Sequence, residues 1–131
     1  RTPAGFRLLA MHRTFDALDP AVADCFKTLG VDAQYARMCA NQRCFRARVT
    51  AKPWRIGIAS HLRPRPGVWP IHPDRLPERT RWVEDYEEKA RRYAACRFEG
   101  ELGSGGIDPS AQAVQMLHDE LCRAASELPL A

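Results

Sequence analysis

The chain has 131 residues, of which 45% are hydrophobic and 27% are charged. This composition is typical of one globular domain, residues 1–131, with a hydrophobic core of its own, and it excludes a disordered chain. The apolar runs in the sequence are far too short for a membrane-spanning helix, and no signal peptide is recognisable.

The formal net charge of +4 is unevenly distributed. Residues 1–32 are balanced, residues 33–73 contain eight basic residues and no Asp or Glu, and residues 74–131 contain eight basic and twelve acidic residues. The acid-free segment, residues 33–73, predicts a positive surface for an anionic partner, with a nucleic acid as the first choice. The alternative is that its arginines pair, after folding, with acidic residues of the C-terminal half.

The cysteines are odd in number and are spread through apolar segments, unlike the disulfide framework of a small secreted domain. They predict reduced thiols and a cytoplasmic protein. The chain begins with Arg1 and a strand-like pattern follows almost at once, so we expect that residues precede it in the full protein. The five cysteines are Cys25, Cys39, Cys44, Cys96 and Cys122.

The N-terminal third predicts one strand and two helices. Residues 6–11 alternate in the manner of a strand. Asp19 followed by proline is a strong helix start, and Gly30 ends the apolar periodicity that follows. Asp32 is positioned to cap a second helix that runs through about Gln42.

The middle of the chain predicts strands and a long loop. Over residues 43–50 the pattern changes to period 2, which predicts a half-buried strand whose open face carries Arg46 and Arg48. Residues 54–58 are a candidate for a further strand. Residues 60–77 are rich in proline and are predicted to form a long loop.

The C-terminal third predicts a helix over 79–95, a strand over 96–102 and a second helix over 108–127. The natural solution is an α+β fold, with helices packed on one face of a small, mainly antiparallel sheet. A ferredoxin-like arrangement fits the order of these elements.

The candidate residues for binding an anion or a nucleic acid lie on the basic strand and the loop that follows it. Arginine and lysine side chains are suited to phosphates, and tryptophan rings are suited to stacking on bases. Tryptophan anchors would also suit a protein-interaction module, which is a further alternative. The predicted binding residues are Arg43, Arg46, Arg48, Lys52, Trp54, Arg55, Arg63, Arg65 and Trp69.

An enzyme is the second alternative. It would act on a small phosphorylated or carboxylate substrate, with loop 60–77 as a lid and arginines as a bidentate clamp. Its candidate catalytic residues are His61, His72 and Cys44, since basic neighbours favour the thiolate of Cys44. A zinc site from the two histidines with Cys39 and Cys44 has suitable ligand types but no Cys-x-x-Cys motif. We therefore expect no metal and no cofactor.

Three segments, residues 1–7, 44–48 and 52–55, resemble parts of bacterial proteins of unknown function. Residues 2–5, Thr-Pro-Ala-Gly, are also similar to the Thr-Pro-Ser-Gly-Gly turn of plasmid and phage primase-polymerases. Phe6 stands in place of the second glycine, and no paired metal-binding aspartates precede this turn. The resemblance therefore implies an association with nucleic acid and does not imply polymerase chemistry.

Overall fold

The structure is a computed structural model that describes residues 1–63 and 68–131. Over these residues the chain is mainly helical, and it has no helix that is long and apolar enough to cross a membrane. The α-helices are α1 (Pro20–Thr28), α2 (Ala33–Gln42), α3 (Leu76–Ala90) and α4 (Pro109–Cys122), and two short 3₁₀ helices span Pro53–Ile56 and Pro73–Arg75.

The predicted α+β fold is wrong. Within the described residues β pairing is confined to two isolated bridges, Thr2 with Gly5 and Ala94 with Leu130, so there is no antiparallel sheet and no ferredoxin-like arrangement. The segments 6–11, 43–50 and 96–102 are not strands.

An alternating pattern makes a strand only where a neighbouring strand accepts its backbone hydrogen bonds. Residues 94–98 instead bond to the last residue of α4 and to the segment that follows it: Ala95 N donates to Cys122 O, and Phe98 N donates to Ala124 O, both at 3.0 Å. The predicted strand 54–58 is replaced by a 3₁₀ helix, which begins at Pro53, where proline is favoured.

The predictions for the first two helices are confirmed, because strong local signals define them. Asp19 Oδ1 accepts a hydrogen bond from Ala21 N at 2.9 Å. Asp32 Oδ1 accepts one from Tyr35 N at 2.8 Å, which caps α2. The left-handed backbone of Arg43, with φ of 50°, ends α2.

The two later helices are confirmed with different ends. Helix α3 begins three residues before the predicted 79 and ends five residues before the predicted 95, so part of the predicted loop 60–77 is helical. Helix α4 begins where Asp108 Oδ1 accepts from Ser110 N at 2.8 Å and ends at Cys122, before the left-handed backbone of Arg123.

The described chain divides into two compact units. The first unit contains two clusters of buried residues. One is Ala51, Ile56, Ile58 and Ala131, against which Trp82, Tyr86, Ala90 and Tyr93 pack. The other is Ala95, Cys96, Cys122 and Ala124, against which Val49 packs. The first unit is Arg1–Leu8, Val49–Leu102 and Met116–Ala131, and the second is Leu9–Arg48 and Gly103–Gln115.

Candidate functional site

The predicted basic strand is an exposed irregular segment of the second unit. Arg43, Arg46 and Arg48 are all exposed there. Arg46 Nε lies 3.3 Å from Cys44 Sγ, within hydrogen-bonding reach of the sulfur. The three arginines are close together in sequence. Because the segment is irregular, they lack the alternating arrangement of side chains that a strand would give them.

The remaining described binding candidates belong to the first unit. Trp54 is 61% exposed, and Lys52 Nζ lies 5.3 Å from the centroid of its ring, a cation–π distance. Arg55 follows in the same 3₁₀ helix and is exposed, as is Arg63. Lys52, Trp54 and Arg55 thus form a short basic and aromatic surface.

Two further candidates belong to the predicted loop. Trp69 is 82% exposed. Arg65 lies outside the described residues.

The acidic residues of α3 bear on the alternative of internal charge pairing. Asp85 pairs with Lys89 at 2.8 Å, and Glu88 pairs with Arg92 at 3.6 Å. The distance between Glu78 and Arg75 is 3.1 Å. These three carboxylates therefore form ion pairs with basic residues that lie three or four positions away in sequence.

A shallow cleft of about 360 Å³ in the first unit brings one predicted catalytic candidate, His61, next to arginines. Trp82 forms one wall, and its Nε1 donates a hydrogen bond to Ser60 O at 2.9 Å. The ring of Trp82 also stacks on Tyr86, with centroids 5.4 Å apart. The lining residues are Ser60, His61, Arg63, Glu78, Arg81, Trp82 and Asp85.

The other predicted catalytic candidates are not part of this cleft. His72 is exposed, and its Nδ1 lies 3.4 Å from the carboxylate of Asp74. Cys44 is partly buried in the second unit. Of the three candidates, His61 is the one that lines this cleft with Arg63 and Arg81.

A second grouping in the first unit, the thiol–imidazole cluster, consists of Cys96, His118 and Cys122. Their potential ligand atoms all lie within 4.8 Å of one another. His118 Nε2 is 3.4 Å from Cys122 Sγ and 4.0 Å from Cys96 Sγ. Both cysteines are buried, and the histidine is partly buried.

The fold of the first unit explains how this cluster forms. His118 and Cys122 lie four residues apart on α4, so they share one face of the helix. The hydrogen bond from Ala95 N to Cys122 O holds the backbone before Cys96 against the end of that helix. Asp119 Oδ1 lies 2.8 Å from His118 Nδ1, and Arg7 NH1 lies 3.2 Å from His118 Nε2.

The electrostatics of the cluster favour a neutral thiol at Cys122. Burial is the largest of the causes that raise the pKa of Cys122 from 9.0 to about 11; the neighbouring Cys96 also acts to raise it, while Arg7 acts in the opposite direction. Cys122 is therefore protonated at neutral pH, unlike the activated thiolate of a cysteine nucleophile.

The sequence alone does not reveal this cluster. Its alternating pattern places Cys96 on a strand face, and nothing in the pattern gives His118 and Cys122 a common role. The available signal was the spacing of His118 and Cys122 on a helix, which places one imidazole and one thiol side by side.

Comparison with protein families, with curated proteins and with solved structures gives no match for this chain, so its function must be inferred from its own residues.

Proposed function

We propose that this chain binds a nucleic acid through the basic and aromatic residues of the acid-free segment. Arg43, Arg46 and Arg48 are exposed in the second unit, and Arg55 and Arg63 are exposed in the first. Exposed cations attract phosphate groups and gain free energy by releasing the counterions condensed on the nucleic acid. Each unit, taken by itself, therefore carries exposed positive charge that suits a phosphate backbone.

Trp54 supplies an interaction that charge alone does not. Its ring is 61% exposed and has Lys52 over it and Arg55 beside it in sequence. Stacking of a base on an exposed aromatic ring, with cations nearby for the backbone, is the usual way in which proteins hold single strands. The proposal therefore favours single-stranded over double-stranded nucleic acid.

The ion pairs of α3 are the observation that carries this proposal. Had Asp85 and Glu88 paired with the acid-free segment, part of its positive charge would have been offset within the protein. They pair with Lys89 and Arg92 instead, one helical turn away. These two carboxylates therefore do not reduce the attraction of the exposed Arg43, Arg46 and Arg55 for phosphate groups.

The test is binding of the full chain to labelled single- and double-stranded oligonucleotides, at salt concentrations of about 50 to 200 mM. We expect the affinity to fall steeply with salt. Trp54→Ala should weaken binding to single strands by about five- to 150-fold, because stacking is worth about 1–3 kcal/mol per base. Arg46→Gln and Arg55→Gln should each reduce the salt slope by about 1.

Lys27→Gln is the matched control, because Lys27 is an exposed cation of α1 outside the acid-free segment. It should leave the affinity and the salt slope nearly unchanged. Binding that is insensitive to salt, or that weakens equally in the Lys27 and Arg46 variants, contradicts the proposal.

The cleft around His61 favours a second candidate function, binding of a small phosphorylated or carboxylate compound, as an enzyme of that class would require. Arg63 and Arg81 both line this cleft, and their guanidinium groups are suited to holding such an anion. The cleft carboxylates Glu78 and Asp85 already pair with Arg75 and Lys89, which reduces their repulsion of a bound anion.

Titration of the chain with inorganic phosphate and pyrophosphate, followed by the NMR signal of the His61 ring, tests this second function. Saturable shifts that disappear in the double variant Arg63→Gln, Arg81→Gln support it. Arg79→Gln is the control, because Arg79 belongs to α3 but does not line the cleft. Shifts that persist in the double variant exclude the cleft as the binding site.

A further inference from the structure

We propose that Cys96, His118 and Cys122 form a zinc-binding site in the first unit. The distances among their ligand atoms carry the proposal. With Zn–S bonds of about 2.3 Å and Zn–N bonds of about 2.0 Å, tetrahedral ligands lie about 3.5 Å apart for a sulfur and a nitrogen. The observed distances from His118 Nε2 are 3.4 Å to Cys122 Sγ and 4.0 Å to Cys96 Sγ. Both are close to the tetrahedral value, and all three ligand atoms lie within 4.8 Å of one another.

Asp119 gives His118 the orientation that a metal ligand needs. With the Asp119 carboxylate 2.8 Å away, Nδ1 carries the proton and donates it to Oδ1. The lone pair of Nε2 then points to the side where the two sulfur atoms lie. A carboxylate behind the ligating imidazole is the usual outer contact of zinc-bound histidine, and it raises the basicity of the ligand.

Burial and backbone contacts hold the ligands in place before a metal arrives. Cys96 is 4% exposed and Cys122 is 1% exposed. His118 and Cys122 are held on consecutive turns of α4, and Cys96 is held beside them by the backbone hydrogen bond between Ala95 and Cys122. Cys122 and Ala95 also line an open cleft of about 310 Å³.

Zinc binding would exchange protons for the metal in a balanced step. Each of the two thiols releases one proton to water, and the two thiolates neutralise the double positive charge of the ion. His118 binds as the neutral imidazole. The three protein ligands leave a fourth position of the tetrahedron for water.

Arg7 is the competitor that the proposal must account for. Its NH1 lies 3.2 Å from His118 Nε2 and 3.7 Å from Cys122 Sγ, where it repels a cation. It belongs to a segment without regular structure, so its side chain can withdraw without disturbing a helix. Removal of the Arg7 charge should therefore strengthen zinc binding, an effect opposite to that of removing a ligand.

The experiment is titration of the metal-free full chain with Co²⁺, followed by displacement with Zn²⁺ against a chromophoric chelator. We expect one equivalent of Co²⁺ to give a thiolate-to-cobalt charge-transfer band and the visible bands of tetrahedral cobalt. Cys96→Ala and His118→Ala should abolish these bands. Arg7→Gln should increase the affinity for zinc by about tenfold, while Asp119→Asn should reduce it by about 10- to 100-fold.

Cys39→Ala is the matched control, because Cys39 is a buried thiol, 2% exposed, that does not belong to the cluster. It should retain the bands. Circular dichroism checks that each variant is folded. If a variant that lacks a ligand does not fold, the Arg7 and Asp119 variants still test the proposal, because they keep all three ligands. Absence of the charge-transfer band in the unmodified chain, or equal loss of it in the Cys39 and Cys96 variants, overturns the proposal.

Discussion

The two compact units differ in how their residues are buried. In the first unit, segments that are distant in sequence contribute to two clusters of buried side chains. In the second unit the buried residues are Val22, Cys39 and Ala111, and its helices α1 and α2 begin at aspartate caps. The difference teaches that packing between distant segments is prominent in the first unit, whereas local helix signals contribute strongly to the second.

Truncation of one apolar side chain in each unit is the most direct test of this comparison. Ile58 is 5% exposed and packs in the first unit, whereas Leu29 is half exposed at the end of α1. We expect Ile58→Ala to reduce the free energy of unfolding by about 2–4 kcal/mol because it leaves a cavity. Leu29→Ala should reduce it by less than about 1 kcal/mol. Urea unfolding of both variants measures the difference, and equal losses would contradict it.

The next effect concerns the buried thiol of Cys122, whose pKa is raised from 9.0 to about 11 by burial and by Cys96. Below pH 9.0 this thiol is protonated in both folded and unfolded chains, so it contributes no pH dependence. As the pH rises from 9.0 toward 11 the unfolded chain loses the proton first, and the folded state is destabilised. The loss is at most about 3 kcal/mol, since one pKa unit corresponds to about 1.4 kcal/mol.

Unfolding by urea between about pH 8.5 and pH 11, with a chelator present, measures this loss of stability. Cys122→Ala is the comparison, because it keeps every other titrating group of the chain. Its stability should fall less over the same pH range. A parallel fall in both proteins would show that Cys122 does not titrate in this way.

The same contrast explains which parts of the fold could be predicted from the sequence. Helices α1 and α2 depend on Asp19 and Asp32, which bond to backbone N–H groups two and three residues away. A local pattern contains all of that information. Residues 96–102 alternate as a strand does, but no local pattern states whether a neighbouring strand is present to pair with them. In the structure, the backbone N–H groups of Ala95 and Phe98 bond to carbonyl groups at and just after the end of α4, and the strand does not form.

The two candidate sites also differ in whether a contiguous stretch of sequence reveals them. The positive charge of residues 33–73 is a property of contiguous sequence and could be recognised directly. The thiol–imidazole cluster could not, because Cys96 is separated from His118 by 22 residues and meets it only through packing in the first unit. The sequence shows that His118 and Cys122 lie four residues apart on a predicted helix. That pair alone does not indicate a site, because the third residue, Cys96, is needed.

The smallest predicted effect tests the local organisation of the second unit. Asp32 caps α2 by accepting a hydrogen bond from Tyr35 N at 2.8 Å, and Cys39 is the one residue of this helix that is buried. We expect Asp32→Ala to reduce the free energy of unfolding by about 1 kcal/mol, the usual cost of removing an N-cap.

Asp32→Ser is the control, because serine can accept the same hydrogen bond and should restore most of the stability. Amide hydrogen exchange distinguishes local from global effects: the alanine variant should lose protection in α2, while the residues around Ile58 in the first unit remain protected. If protection falls equally around Ile58, the cap contributes to the stability of the whole chain, and local signals alone do not organise the second unit.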